Sequence, residues 1–216
     1  MKQGKRSVKV LGLFLLASIG SLAVMAGSAQ AATWRESGTA ITSTKAFNAV
    51  LPAKGTFTFL APETSIKVKC GMLTSEDGLM FTNGEARLVL KVSGCATYIK
   101  GVFAPECDPD VVKMSTIIKP VWVEFRAQLL FSPTAGGIFG YLEFEEECPL
   151  SHIMPLKGSF VEECVTPASC ETSTIIHSIT QNWALDELKY GSWPMYTEGI
   201  LELELANGSP FSVSAP

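Results

Sequence analysis

The sequence predicts an all-β fold: an antiparallel β-sandwich or barrel-like sheet, disulfide-linked, with one short helix near the C-terminal part. Three observations predict it. Apolar residues recur at every second position, turn chemistry separates the alternating runs, and all six cysteines lie after a leader-like N-terminus.

Residues 1–31 read as a secretory signal peptide. Lys2, Lys5, Arg6 and Lys9 form a basic start with no acidic residue. The run Val10–Gly27 is apolar, and Ala29 and Ala31 hold the small-residue positions before a cut expected between Ala31 and Ala32. The competing reading keeps the segment as a membrane anchor, because about 20 apolar residues cross a bilayer. The small residues at Ser28–Ala32 favour cleavage, and no cysteine follows the run to take a lipid. The remainder, residues 32–216, has the length of a single β-rich extracellular domain.

Strands follow in order. "GTFTFL" alternates Phe57 and Phe59 with threonines, and "SIKVKC" puts Ile66, Val68 and Cys70 on one face. In "EARLVLKVSGC", Ala86, Leu88, Leu90 and Val92 share a face. "VWVEFRAQLLF" reads as one strand, Val121–Phe131, with Val121, Val123, Phe125, Ala127, Leu129 and Phe131 inward. It should form a long hairpin with Ile138–Cys148, whose Ile138, Leu142, Phe144 and Cys148 would face in. Phe139, Tyr141, Glu143, Glu145 and Glu147 would face out. Glu146 breaks that parity, so a bulge or the end of the buried zone is expected near it. Turns are expected at "SEDG" (75–78), "TNGE" (82–85), "SPTAGG" (132–137) and "ANGSP" (206–210). The helical candidate is "NWALDELKY", Asn182–Tyr190, capped by Asn182 and ended by Gly191. "GILELEL" and "FSVSA" return to alternation.

Composition narrows the partners. The whole chain carries −4; without the four basic leader residues, thirteen basic residues face twenty-one acidic ones, a net charge of −8. Nucleic acid and anionic membrane surfaces are therefore disfavoured, because both need a basic footprint. After the leader no segment reads as membrane-inserted, since the most apolar one carries Glu124 and Arg126. A cationic partner or a metal remains compatible with the charge.

Cys70, Cys95, Cys107, Cys148, Cys164 and Cys170 are even in number and in an oxidising context, so they read as disulfides. Loop geometry favours Cys95–Cys107 and Cys164–Cys170, leaving Cys70–Cys148 to join distant strands. No two cysteines have the spacing of a zinc or redox motif.

Candidate chemistry is sparse. His152 and His177 are the two histidines, each more readily a packed or surface residue than a catalyst. There is no GxSxG, HExxH or phosphate-binding glycine loop, so no catalytic residue and no cofactor is assigned. The acidic run with Glu143, Glu145 and Glu147 is a weak Ca²⁺ candidate and the one place for carboxylate-dependent glycoside hydrolysis; "DPD" at 108–110 is too short to signal a site. Trp183, Tyr190, Trp193 and Tyr196 form either a ligand-stacking surface or an aromatic cap on the sheet.

Trp34, "IKVKC" with Cys70, "SGC" with Cys95, Cys107, "FEEEC" with Cys148 and "LKGSF" with Gly158 occur in an order that resembles a group of secreted, cysteine-containing, β-rich proteins of high-GC Gram-positive bacteria. The group has no established activity. The resemblance covers Trp34 to Thr180 and implies secretion and a disulfide-linked β fold; it transfers no catalytic residue. The expectation is an exported, non-enzymatic binding or structural protein of the cell envelope or extracellular space, with an unknown extracellular ligand or protein as partner. A secreted carboxylate-dependent hydrolase and a carrier of a small apolar ligand are the alternatives.

Overall fold

The computed structural model describes residues 33–123, 126–164, 174–177 and 188–213. The leader expected at 1–31 lies outside them. The first strands are β1 (Trp34–Glu36), β2 (Thr39–Ala40), β3 (Lys45–Val50) and β4 (Phe57–Ala61). Next come the long strands β5 (Ile66–Met80) and β6 (Ala86–Ile99), then β7 (Val102–Phe103), β8 (Val111–Val123) and β9 (Arg126–Pro133). β10 (Ile138–Glu143), β11 (Ile153–Lys157), β12 (Phe160–Cys164) and β13 (Thr174–His177) follow. The last four are β14 (Lys189–Tyr190), β15 (Trp193–Pro194), β16 (Tyr196–Leu205) and β17 (Phe211–Val213).

The strand pairings close on themselves. Each of β5, β4, β16, β13, β12, β9, β8 and β6 pairs antiparallel with the next, and β6 pairs back to β5. β3 shares the position of β4, bridging the later halves of β5 and β16. The main sheet is therefore a closed antiparallel barrel, which leaves no free edge around its wall.

Alternation sorts the wall. Leu88, Leu90, Val112, Met114, Ile118, Leu129, Phe131, Leu203 and Phe59 are buried, while Arg87, Lys113, Lys119 and Glu204 are exposed. Apolar-in and polar-out is the inverse of a lipid-facing barrel. The interior is packed by these side chains: Phe131 stacks on Phe160 with centroids 4.7 Å apart, and Phe57 meets Phe59 edge-on at 5.2 Å.

Two small sheets lie at opposite ends. The β4–β5, β6–β8, β9–β12 and β13–β16 connections all leave the same end. There β10, β11, β14 and β15 form a four-stranded cap. The cap comes close to the wall at Gly140, where a Cβ would stand 1.9 Å from the Lys113 carbonyl oxygen. Phe139 reaches in to Phe160 at 5.3 Å, and β15 lies against the Pro62–Thr64 turn. At the other end β17, β1 and β2 form a three-stranded sheet that joins the N- and C-terminal parts of the barrel chain.

Several expectations need correction. Val121–Phe131 is not one strand: Val123 pairs with Arg126, so the chain reverses there and the apolar run serves both β8 and β9. Residues 124–125 lie outside the described set. "SEDG" is not a turn but a register shift within β5 between Glu76 and Leu79, where Gly78 leaves room for the Phe47 carbonyl. Phe139 is buried, not outward, because a register shift between Ile138 and Gly140 resets the parity of β10. That strand ends at Glu143, so Glu146 falls in an exposed turn closed by the Cys148 amide donating to the Glu145 carbonyl at 3.1 Å. Of the helix expected over Asn182–Tyr190, Lys189–Tyr190 is strand and 181–187 lie outside the described residues.

The cysteine pairing also differs. Cys70 bonds Cys95, and Cys107 bonds Cys148. Uninterrupted parity from Val92 would turn Cys95 outward. Gly94, at φ +60°, interrupts that alternation, and the β5–β6 register sets Cys95 directly across from Cys70. Cys164 is also disulfide-bonded; Cys170, its expected partner, lies outside the described residues.

Candidate functional site

Cys107 and Cys148 each adjoin an acidic stretch, "CDPD" on one side and "EFEEEC" on the other. Their bond brings the two together at the capped end. The result is a cleft of about 250 Å³ lined by Asp108, Asp110 and Val111 on one side and Glu143, Phe144, Glu145 and His152 on the other.

Each wall is held by backbone chemistry. On the first, Asp108 accepts the Thr97 amide N–H through Oδ1 at 2.6 Å, and the buried Thr97 hydroxyl donates to the Cys107 carbonyl at 2.5 Å. These bonds tie the turn at Pro105–Cys107 to β6 and point the following chain toward the cap. On the second, the Phe144 amide donates to the His152 carbonyl at 2.9 Å, extending the β10–β11 pairing past its last rung. Phe144 is buried and forms the apolar floor, whereas Asp110, Glu143, Glu145 and His152 are exposed. Val111 is 49% exposed, a large apolar surface beside the carboxylates.

Such a site offers negative charge and hydrogen-bond acceptors next to apolar surface. It suits a cationic group on a partly apolar ligand. Among the described residues no three His, Cys, Asp or Glu side chains converge to hold a metal ion. Of the Ca²⁺ candidates, Glu143 and Glu145 line the cleft, while Glu147 is exposed on the turn beyond it.

The described aromatic candidates differ in exposure. Tyr190 is buried within the cap, and burial pushes its phenol well above the usual range. Trp193, its cross-strand neighbour, is 46% exposed and Tyr196 is half-buried. Trp183 lies outside the described residues. Tyr190 thus belongs to the packing of the cap rather than to a stacking platform. His152 joins the cleft; His177 lies across the barrel wall on β13, in register with Gly199.

Sequence reasoning set "DPD" aside and kept the glutamates apart from it. The available signal was adjacency: each acidic stretch abuts a cysteine, so a Cys107–Cys148 bond would have joined them. Glu162 was also missed. It is 1% exposed on β12, sharing the inward parity of Phe160 and Cys164.

Compared with known protein families, curated proteins and solved structures, the chain finds no match. The group it resembles is thus supported only in its coarse features, a β-rich fold with disulfides.

Proposed function

We propose that this is an exported, non-catalytic binding protein whose cleft at the capped end takes a cationic group of an extracellular ligand or protein. The observation that carries the reading is that Asp108, Asp110, Glu143 and Glu145 line one cleft with Val111 and Phe144. The disulfides favour an oxidising, extracellular setting. A closed, side-chain-filled barrel is a rigid support, which lowers the ordering cost of binding. The acidic balance of the chain adds long-range attraction for a positive partner.

The test is calorimetric titration of the purified exported form with a lysine- and leucine-containing peptide, against its glutamate-containing counterpart. Selective binding of the basic peptide, weakened about tenfold or more by Asp110→Asn with Glu145→Gln and by added salt, is the expected result. Equal affinity of the variant and the parent would sink the reading. Two parallel assays address the alternatives. Hydrolysis of a glycan panel that disappears in Glu143→Gln and Glu145→Gln would establish a carboxylate-dependent hydrolase instead. A lipid retained in native mass spectra would establish a carrier.

A further inference from the structure

The cleft lies between two strand edges. β10 is an edge strand of the cap, laddered among the described residues to β11 alone. Its last rungs fix which main-chain groups face outward. The Phe144 amide donates to the His152 carbonyl, and along an antiparallel ladder such bonded positions alternate with unbonded ones. Pro155, opposite Tyr141, has no N–H, and its carbonyl accepts the Gly191 amide on the far side of β11. Tyr141 and Glu143 therefore turn their N–H and C=O groups away from β11.

β8 presents the second edge. Its ladder with β6 starts at Val111, whereas its ladder with β9 stops at Thr116, opposite Pro133. The Thr134 amide donates to the Ser115 carbonyl, so by the same alternation Lys113 and Val111 face the side that β9 has left. The two strands touch where Gly140 packs against the Lys113 carbonyl. Farther along, Val111 and Glu143 stand on opposite lips of the cleft, and no ladder pairing joins β8 to β10. Main-chain groups along a strand edge are a template for another strand.

We propose that the ligand is an extended segment of a partner protein, with lysine or arginine alternating with apolar residues, which adds to the Glu143 end of β10 as a further strand. This rests on the reading of the cleft as a site for a cationic group, and assigns a role to the backbone of that ligand. Charge decides which strand the edge accepts. A second copy pairing β10 with β10 would crowd Glu143 and Glu145 of both copies onto one short ladder, and like charges facing across strands are destabilising. An added strand with cations on one face meets Glu143 on the exposed side of the cap, beside the exposed Tyr141 and Ile153. Successive side chains point to opposite faces, so its apolar residues turn to the side of buried Phe144. In this mode main-chain bonds give affinity and the alternate side chains give selectivity.

The probe is a short peptide of alternating lysine and valine, titrated into the purified protein. Two further versions carry N-methyl groups on all lysine nitrogens or on all valine nitrogens, and each loses the donors along one edge of the extended peptide. One version should bind about tenfold or more weaker than the parent peptide and the other nearly as well. The weakened one is the lysine version if the added strand runs antiparallel to β10, and the valine version if it runs parallel. In the protein, exchange of the Glu143 amide hydrogen should slow about tenfold or more on binding, while that of Phe144, already bonded within the cap, should change less. Equal affinities of the two methylated versions would overturn the added strand and leave the cationic site standing. A parent peptide that does not bind would sink both. Protection of the Glu143 amide that grows with protein concentration, with no peptide present, would give the edge to a second copy and overturn the proposal.

Discussion

The two ends of the barrel are secured by different forces. At the capped end the fastening includes covalent bonds: Cys107–Cys148 ties the β7–β8 connection to the β10–β11 connection, and Cys70–Cys95 locks β5 to β6 nearby. At the terminal end ion pairs take the place of disulfides, added to the β1–β17 ladder and the packing of Trp34 on Phe211. Lys45 lies 2.7 Å from Glu36, whose carboxylate also accepts the Asn207 amide at 2.7 Å, joining β1, β3 and the chain after β16. Beside them Lys119 lies 2.9 Å from Glu85, and Arg87 sits over the Phe81 ring at 5.6 Å. Covalent closure ignores salt and pH but yields to reductant; surface ion pairs do the reverse. The candidate cleft sits at the covalent end, where its walls keep their spacing when charges are screened.

The largest expected effect breaks the covalent side. A Cys107→Ser, Cys148→Ser variant should lose up to about 4 kcal/mol, the chain-entropy value for its loop. In hydrogen exchange the loss should concentrate at β10, β11 and Asp108–Val111, while β1 and β17 keep their protection. The cleft should lose its ligand with it. Protection lost evenly over both ends would show that the two are one cooperative unit and dissolve the contrast.

A smaller effect sharpens the same side. Gly140 sits where β10 crosses β8, and any Cβ there must displace the Lys113 carbonyl. Gly140→Ala should cost about 1–3 kcal/mol, the usual scale of overpacking, read as a lower urea midpoint at unchanged slope. A variant as stable as the parent would mean that the cap rides loosely on the wall.

Why some of this was legible in the sequence, and some not, follows from where parity holds. Ile66, Val68, Cys70, Phe57, Phe59, Ala127, Leu129 and Phe131 all face in as alternation requires, because each lies in an uninterrupted stretch of strand. Expectations failed where one residue shifts the count. A register shift reverses Phe139, and the second shift, at Glu76–Leu79, turned an expected chain reversal into a continuing strand. A hairpin hidden inside "VWVEFRAQLLF" carries no glycine or proline to announce it. The cleft was illegible for another reason: its walls are 33 residues apart at Asp110 and Glu143, and the cysteine pairing that joins them is not the one that loop geometry favoured.

The smallest effect tests the electrostatic end by acid. The hydrogen bond from Lys45 holds the Glu36 carboxyl below its ordinary 4.5, helped by Asn207, and the one from Lys119 does the same for Glu85. A carboxylate whose pKa is lower folded than unfolded stabilises the fold at pH above the unfolded value. That contribution fades as pH falls from about 4.5 through the lower folded value. Both groups are exposed, so the loss is modest. It should nevertheless be local: on acidification the β1, β2 and β17 amides and the β5–β6 turn should lose protection before β10 and β11 do. Glu36→Gln with Glu85→Gln should remove the difference, and molar salt at neutral pH should mimic it in part. If the capped end opens first in acid, the carboxylates of the cleft are bearing structural load, and the division into a covalent end and an electrostatic one fails where the proposed ligand would bind.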